Sequence, residues 1–303
     1  MRTSPLYIET ALDGALEERI AELDSLTRPC ILCPRKCMVE RAESELGFCR
    51  APYDVYVSSA FPHFGEEKEL SGINGSGTVF FSHCNLRCAF CQNYEISIRG
   101  EGSRCSSGEL AAVMVDLQQR GCHNINLVTP THYVPQIMKA LSRAIGMGLS
   151  VPLVYNCSGY ESLEVIRLLD GIIDIYMPDF KFMSGELSQR FCRAPDYAQV
   201  LQPVLKEMQR QVGDLVTDEN GIARRGLLIR HLVMPSCAED TRNILRLIRD
   251  ELSEQTHVNI MAQYHPCHRA DEFEELSRRP TASECLEALD FARAIGLKRA
   301  FIH

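Results

Sequence analysis

At 303 residues, with 45% hydrophobic and 24% charged residues, the chain is long enough for one large α/β domain, or one such domain plus a small module, and has an ordinary soluble composition. A formal net charge of -8 excludes attraction to bare nucleic acid or to an anionic membrane through summed charge. No stretch reaches the roughly 18 consecutive apolar residues of a membrane span, and the opening MRTSPLYIETALDGALEERI mixes charged with apolar residues where a signal peptide has an apolar core, so the expected location is the cytoplasm.

In chain order, the spacing of Leu12, Leu16, Ile20 and Leu23 predicts a helix over 11–26, which Pro29 ends. A first cysteine group and turn-rich sequence come next, up to GINGSG at 72–77. We take this as the boundary between an N-terminal module, 1–71, and a core domain, 72–303. Beyond it, short β-branched runs predict strands over 78–82, 125–129, 153–156, 172–177, 227–233 and 258–262. Helical patterns lie between them, over 108–120 with Ser107 as N-cap, 134–145, 163–169, 197–211 and 241–252. Alternation of this kind implies parallel strands joined by right-handed crossovers. Six units are too few for a closed eight-stranded barrel, so the predicted fold is α/β, a partial (β/α)6 TIM-like barrel with a small cysteine-rich N-terminal module and with its site at the carboxyl ends of the strands.

Fourteen cysteines are many for a cytosolic chain, where thiols stay reduced, and metal or cluster binding is the leading reason for the excess. Seven fall in two tight groups. The second group, in SHCNLRCAFCQNYE, places Cys84, Cys88 and Cys91 in a C-x3-C-x2-C run directly after the predicted strand TVFF. Structural zinc takes four ligands, whereas a 4Fe–4S cluster held by three thiolates leaves one iron open to a substrate or cofactor. The alternatives are a zinc site completed by a distant histidine, or three buried thiols acting as small hydrophobes. The first group, CILCPRKC with GFC, contains Cys30, Cys33, Cys37 and Cys49. Four thiolates suit either structural zinc or an additional 4Fe–4S cluster passing electrons to the first.

The C-x3-C-x-aromatic-C run, with Phe90 as its aromatic, resembles the signature of the radical S-adenosylmethionine (SAM) superfamily, and CAFCQN resembles its branch around the activating enzymes of glycyl-radical enzymes, such as pyruvate formate-lyase activating enzyme. The resemblance covers 72 to the C-terminus, and the partial barrel is the fold it implies. It also implies that the open iron of the 4Fe–4S cluster chelates SAM. One electron then cleaves the sulfonium to methionine and a 5′-deoxyadenosyl radical that abstracts hydrogen from a substrate.

Carried over segment by segment, the resemblance places Thr129, Pro130, Thr131 and His132 of NLVTPTHYVPQ where the family has a Gly-Gly-Glu contact to the SAM ammonium; the carboxylate is absent here. In VYNCSGY, Asn156 and Ser158 stand in the family's Asp-Thr-Asn-Gly stretch. MPDFK matches an Asp-x-Lys pattern, putting Asp179 and Lys181 near the methionine end of SAM. LLIRHLVMP offers Arg230 as a carboxylate-binding guanidinium, with His231 on the opposite face of the strand, and AQYHPCHR offers His265 for the ribose and adenine end. The cysteine group upstream of the SAM motif departs from activating enzymes, whose extra clusters come after it. The expected activity is hydrogen abstraction from a protein partner, a glycyl-radical enzyme, with flavodoxin or ferredoxin as electron donor. Rival readings are an enzyme acting on a small molecule or peptide, and a non-catalytic Fe–S electron carrier or interaction protein.

Overall fold

A computed structural model describes residues 4–302. Its ten strands are β1 (Val55–His63), β2 (Ser76–Phe81), β3 (Ser103–Cys105), β4 (Ile125–Val128), β5 (Leu153–Cys157), β6 (Ile175–Pro178), β7 (Val216–Thr217), β8 (Ala223–Leu232), β9 (His257–Met261) and β10 (Arg299–Ile302). They pair in the order β10-β9-β8-β6-β5-β4-β2-β1-β3, with β7 alongside β8. Along that order every pairing from β2 to β10 is parallel, whereas β1 and β3 are added antiparallel at one edge. Helices come after β4, β5, β6, β8 and β9, among them Val134–Gly146, Tyr197–Val212 and Ala238–Glu251. This is the partial (β/α)6 barrel, with β10 as a further parallel strand.

Strands covered on both faces read as apolar runs, and β5, β6 and β9 are buried at every position. Alternation of side chains then divides two cores. Tyr155, Tyr176, Leu227 and Ile229 face the helices and belong to the main core. Val154, Ile175, Met177 and Leu228 turn inward and pack with Leu70, Leu215 and Ala223 as a plug in the barrel interior. One step of the same parity further along each strand, the inward positions become Asn156, Asp179 and Arg230. The apolar plug lies toward the amino ends, leaving the polar positions at the carboxyl ends.

The helix predicted over 11–26 is two, Leu6–Leu12 and Ala15–Ser25, because Gly14 takes a left-handed φ of 82° between them. The helix Ser107–Gln119 is capped by Ser106, not Ser107. The Ser106 hydroxyl accepts from the Glu109 N–H, and the Glu109 carboxylate accepts from the Ser106 N–H. The largest difference concerns 55–71. Strand β1 pairs with β2 across 57–63, and Leu70 sits in the interior plug. This part of the N-terminal stretch therefore builds the barrel. Among the described residues, no helix is long and apolar enough to cross a membrane.

Candidate functional site

Beyond β2 the chain turns at His83 (φ 74°) into the three-cysteine loop. Backbone contacts hold this loop from outside: the Arg87 and Ala89 N–H groups donate to the carbonyls of Cys192 (3.2 Å) and Phe191 (2.7 Å), at the end of the helix Gly185–Cys192. The buried Asn85 amide donates to the Tyr160 carbonyl at 2.6 Å. Phe90 packs edge-on against Phe182 and Tyr264. Gly159 brings the next loop close: at φ +80 a Cβ there would lie 2.5 Å from the Asp179 carbonyl oxygen, so only glycine permits this approach.

The loop faces a cavity of about 400 Å³, within the ~300–1,000 Å³ range of small-molecule sites. Cys84, Cys88 and Cys91 form one side of it; Phe90, Thr129, Asn156, Ser158, Asp179, Lys181 and Arg230 also line it. The Lys181 ammonium donates to Asp179 at 2.6 Å. Burial pushes the Cys84 thiol up to about 12 and raises Cys91; the Cys88 thiol is raised first by its contact to Cys192 and then by burial. Thiols held neutral in this way become thiolates when a metal displaces the proton. Among the described residues, no three His, Cys, Asp or Glu groups are gathered closely enough for a single ion. Cys192, 3.3 Å from Cys88 sulfur to sulfur, is absent from the cavity wall, whereas Cys157, at the end of β5, is a fourth cysteine on it.

Three assigned residues stand elsewhere. Thr129 turns the chain with a left-handed φ of 57°, and beyond it Thr131 is buried with its hydroxyl donating to Glu161 at 2.7 Å. His132 packs behind the sheet, its Nε2 2.8 Å from the Ser82 carbonyl, and lines the separate cavity formed by the N-terminal cysteines. His265 is outside the cavity wall; its Nδ1 is 3.2 Å from the Gln92 amide, and Gln92 itself lines the cavity. Arg230 points inward as its strand parity requires, but two carboxylates already hold it. Its Nε and Nη2 donate to Glu67 at 2.8 and 2.6 Å, and Nη2 also donates to Glu66. Burial alone would raise the Glu67 carboxyl, yet the Arg230 charge holds it at about 2.

Glu66, Glu67 and Asn259 escape a reading of the sequence. GEEKEL has no strand or helix periodicity and reads as a solvated charge run. Asn259, which donates to Glu67 at 2.6 Å, does leave a signal: it interrupts the apolar run of 258–262. His231 lies on the helix side as expected, bonded to the Phe180 carbonyl and the Thr241 hydroxyl.

Behind the site, Glu161 accepts from Thr131 and from Tyr155 (3.0 Å), and burial pushes its carboxyl up to about 7 from 4.5. A carboxyl raised on folding binds its proton more tightly in the native state. Its contribution is therefore fully present below pH 4.5 and is lost as pH rises through about 7. We expect wild-type stability to fall over this window by on the order of 3 kcal/mol from this group. Glu161→Gln should flatten the slope in urea melts at pH 5, 6 and 7.5, and an unchanged slope would disprove the assignment.

No family model matches the chain. The uncharacterized protein MJ0674 of Methanocaldococcus jannaschii is 31% identical over 300 residues, covering 96% of this chain and 82% of that protein. The chain belongs to its family. A second protein of that organism, the uncharacterized MJ0808, is 24% identical over 305 residues, covering 93% of this chain and 82% of its own. Among solved structures, a domain of pyruvate-formate lyase-activating enzyme from Bacteroides vulgatus matches 65% of this chain and 91% of its own at 11% identity and a TM-score of 0.38. Streptococcus suis SuiB bound to S-adenosylmethionine matches 73% of this chain and 48% of its own at 10% identity and a TM-score of 0.48.

Proposed function

We propose that this protein is a radical SAM enzyme, with Cys84, Cys88 and Cys91 holding a 4Fe–4S cluster and SAM occupying the adjoining cavity. The observation that carries this reading is the placement of three thiols, Cys88 buried and Cys84 and Cys91 half-buried, from a C-x3-C-x2-C loop, on the wall of a cavity at the carboxyl ends of the barrel strands. When bound, the cluster and SAM supply one-electron chemistry that removes a hydrogen atom from a substrate. The chain's own residues bind and orient. Lys181 offers an ammonium to a carboxylate, while Asp179, Asn156 and the Thr129 turn offer acceptors to an ammonium. Phe90, Leu232 and Met261, all on the wall, give the apolar side that keeps water from the reacting centre.

For the substrate we favour a segment of a protein partner, as in glycyl-radical activation, with the electron supplied by a flavodoxin- or ferredoxin-class donor. Supporting this, the cavity wall at His63, Gly65 and Phe80 adjoins Phe61 and Phe64, which are 38% and 64% exposed, an apolar rim that a docked segment would cover. The test is anaerobic incubation of the reduced protein with SAM. Chromatography should detect methionine and 5′-deoxyadenosine, and Lys181→Met should weaken SAM binding on the order of tenfold with unchanged iron content. Absence of 5′-deoxyadenosine with the cluster intact would leave the non-catalytic reading. With a co-encoded glycyl-radical enzyme, a persistent backbone radical should appear by electron paramagnetic resonance; SAM cleavage without that radical would turn the reading to a small molecule or peptide.

A further inference from the structure

The N-terminal cysteines form a second site that the radical chemistry does not use. Cys30, Cys33, Cys37 and Cys49 all line one small cavity. A tight loop gathers the first three: the Cys30 N–H donates to the Val39 carbonyl and the Met38 N–H returns to the Cys30 carbonyl, with Lys36 and Met38 at left-handed φ of 40° and 58°. Gly47 presses the second arm against it so closely that a Cβ would lie 2.8 Å from Cys37 Cβ. Two backbone N–H groups point at sulfur, Phe48 at Cys37 (3.2 Å) and Ala51 at Cys49 (3.5 Å).

The charges around this cage lack an anion. Arg41 is only 2% exposed and donates to the carbonyls of His132 (2.7 Å) and Pro52 (2.5 Å), yet it pairs with no carboxylate among the described residues. Its Nε, Arg35 Nη2 and His132 Nδ1 are buried with no hydrogen-bond partner; Arg35, Arg41 and His132 all line the cavity. Burying an uncompensated guanidinium costs several kcal/mol. Four neutral thiols do not offset that, but four thiolates on a metal centre do. Thiolates on zinc or on a cubane cluster both supply that negative charge, but only the cluster is redox-active, which suits a site packed against the first cysteine loop.

The two cysteine loops also grip each other. Arg87, between Cys84 and Cys88, donates to the Phe48 carbonyl at 2.6 Å, and Arg35, between Cys33 and Cys37, donates to the Asn85 carbonyl at 3.0 Å. Both guanidinium groups stack on the Phe48 ring, at 5.3 and 3.9 Å from its centroid.

We propose that Cys30, Cys33, Cys37 and Cys49 hold a second 4Fe–4S cluster, which passes electrons to the first site across the Arg87–Phe48 contact. A reduced flavodoxin- or ferredoxin-class donor loses one electron, the second cluster gains it and then yields it to the first; no bond or proton moves. Occupancy of the cage is independent of the radical SAM reading, and the relay rests on it.

The test reconstitutes the full chain anaerobically and measures iron, sulfide and zinc. Wild type should hold about eight iron atoms, and both the combined Cys84→Ala, Cys88→Ala, Cys91→Ala variant and the Cys30→Ser, Cys37→Ser variant about four. The first of these variants reads the cage even if the second misfolds, and separates failure here from failure of the first site. One zinc per chain, lost in Cys30→Ser, Cys37→Ser, with no iron in the first-site variant, would overturn the proposal. For the relay, stopped-flow reduction of the first cluster by reduced flavodoxin should slow at least tenfold in Cys30→Ser, Cys37→Ser. An unchanged rate overturns the relay.

Discussion

Replacing Cys84 by alanine is expected to remove the first cluster and abolish formation of 5′-deoxyadenosine, while the chain stays folded. Each thiolate is one of three, so losing one leaves two irons of the cluster open to solvent and oxidation. The fold has little stake in this side chain. Backbone bonds to Phe191 and Cys192, and the Asn85 amide on Tyr160, pin the loop without using the Cys84 sulfur. Iron should drop by about four per chain, with a thermal midpoint within a few degrees of the apoprotein's. The same iron loss is expected for Cys88→Ala and Cys91→Ala. The control is Cys192→Ala, which removes a sulfur 3.3 Å from Cys88 but none from the cavity wall, and should keep full iron. Full iron in all three ligand variants would refute the first site, and loss of iron in Cys192→Ala would make that residue a ligand.

Periodicity is the source of most of the fold that was legible in the sequence, and the family resemblance the source of most of the site. The parity of LLIRHLVMP sends Arg230 inward and His231 to the helices, and both lie there. The strand-end motifs at β5 and β6, picked out by the resemblance, line the cavity through Asn156, Ser158, Asp179 and Lys181. Where a turn intervenes, parity no longer carries. The left-handed backbone at Thr129 redirects the chain beyond it, so Thr131 and His132 serve the layer behind the sheet. Segments without periodicity were hidden altogether. Residues 65–71 enter the barrel because Leu70 completes the interior plug and the Asn124 amide binds the Leu70 carbonyl at 2.9 Å. Both contacts are long-range, and no local pattern encodes them. The C-terminal strand β10, bounded by Arg299 and Ile302, is half-buried and too short to stand out.

Arg230→Ala is expected to destabilise the protein by about 3–5 kcal/mol, since it leaves carboxylates inside the barrel with no cation. Glu67 is 1% exposed and has only the Asn259 amide besides Arg230 among its side-chain donors. The pH dependence identifies the cause. Glu67 falls from 4.5 to about 2 on folding, so its contribution is present above pH 4.5 and is lost as pH falls through about 2. In wild type this is worth on the order of 3 kcal/mol. Without the guanidinium, burial outweighs the Asn259 amide and raises Glu67, so the variant should gain more stability than wild type as pH falls from 7 toward 4, over and above the Glu161 contribution that both proteins share. Glu67→Gln with Arg230→Met, which removes both charges, should recover most of the loss, as pairs replaced together do. Urea melts between pH 4 and 7 on the four proteins of this cycle would measure it. The same cycle assayed for SAM affinity distinguishes the ion pair from a ligand contact. With two carboxylates already on Arg230, the stability change should recur in the ligand-free protein, and the double variant should bind SAM within about threefold of wild type, less than 1 kcal/mol. Retained stability in Arg230→Ala, with SAM affinity lost, would return Arg230 to the role the family resemblance first implied, a guanidinium held ready for the ligand's carboxylate.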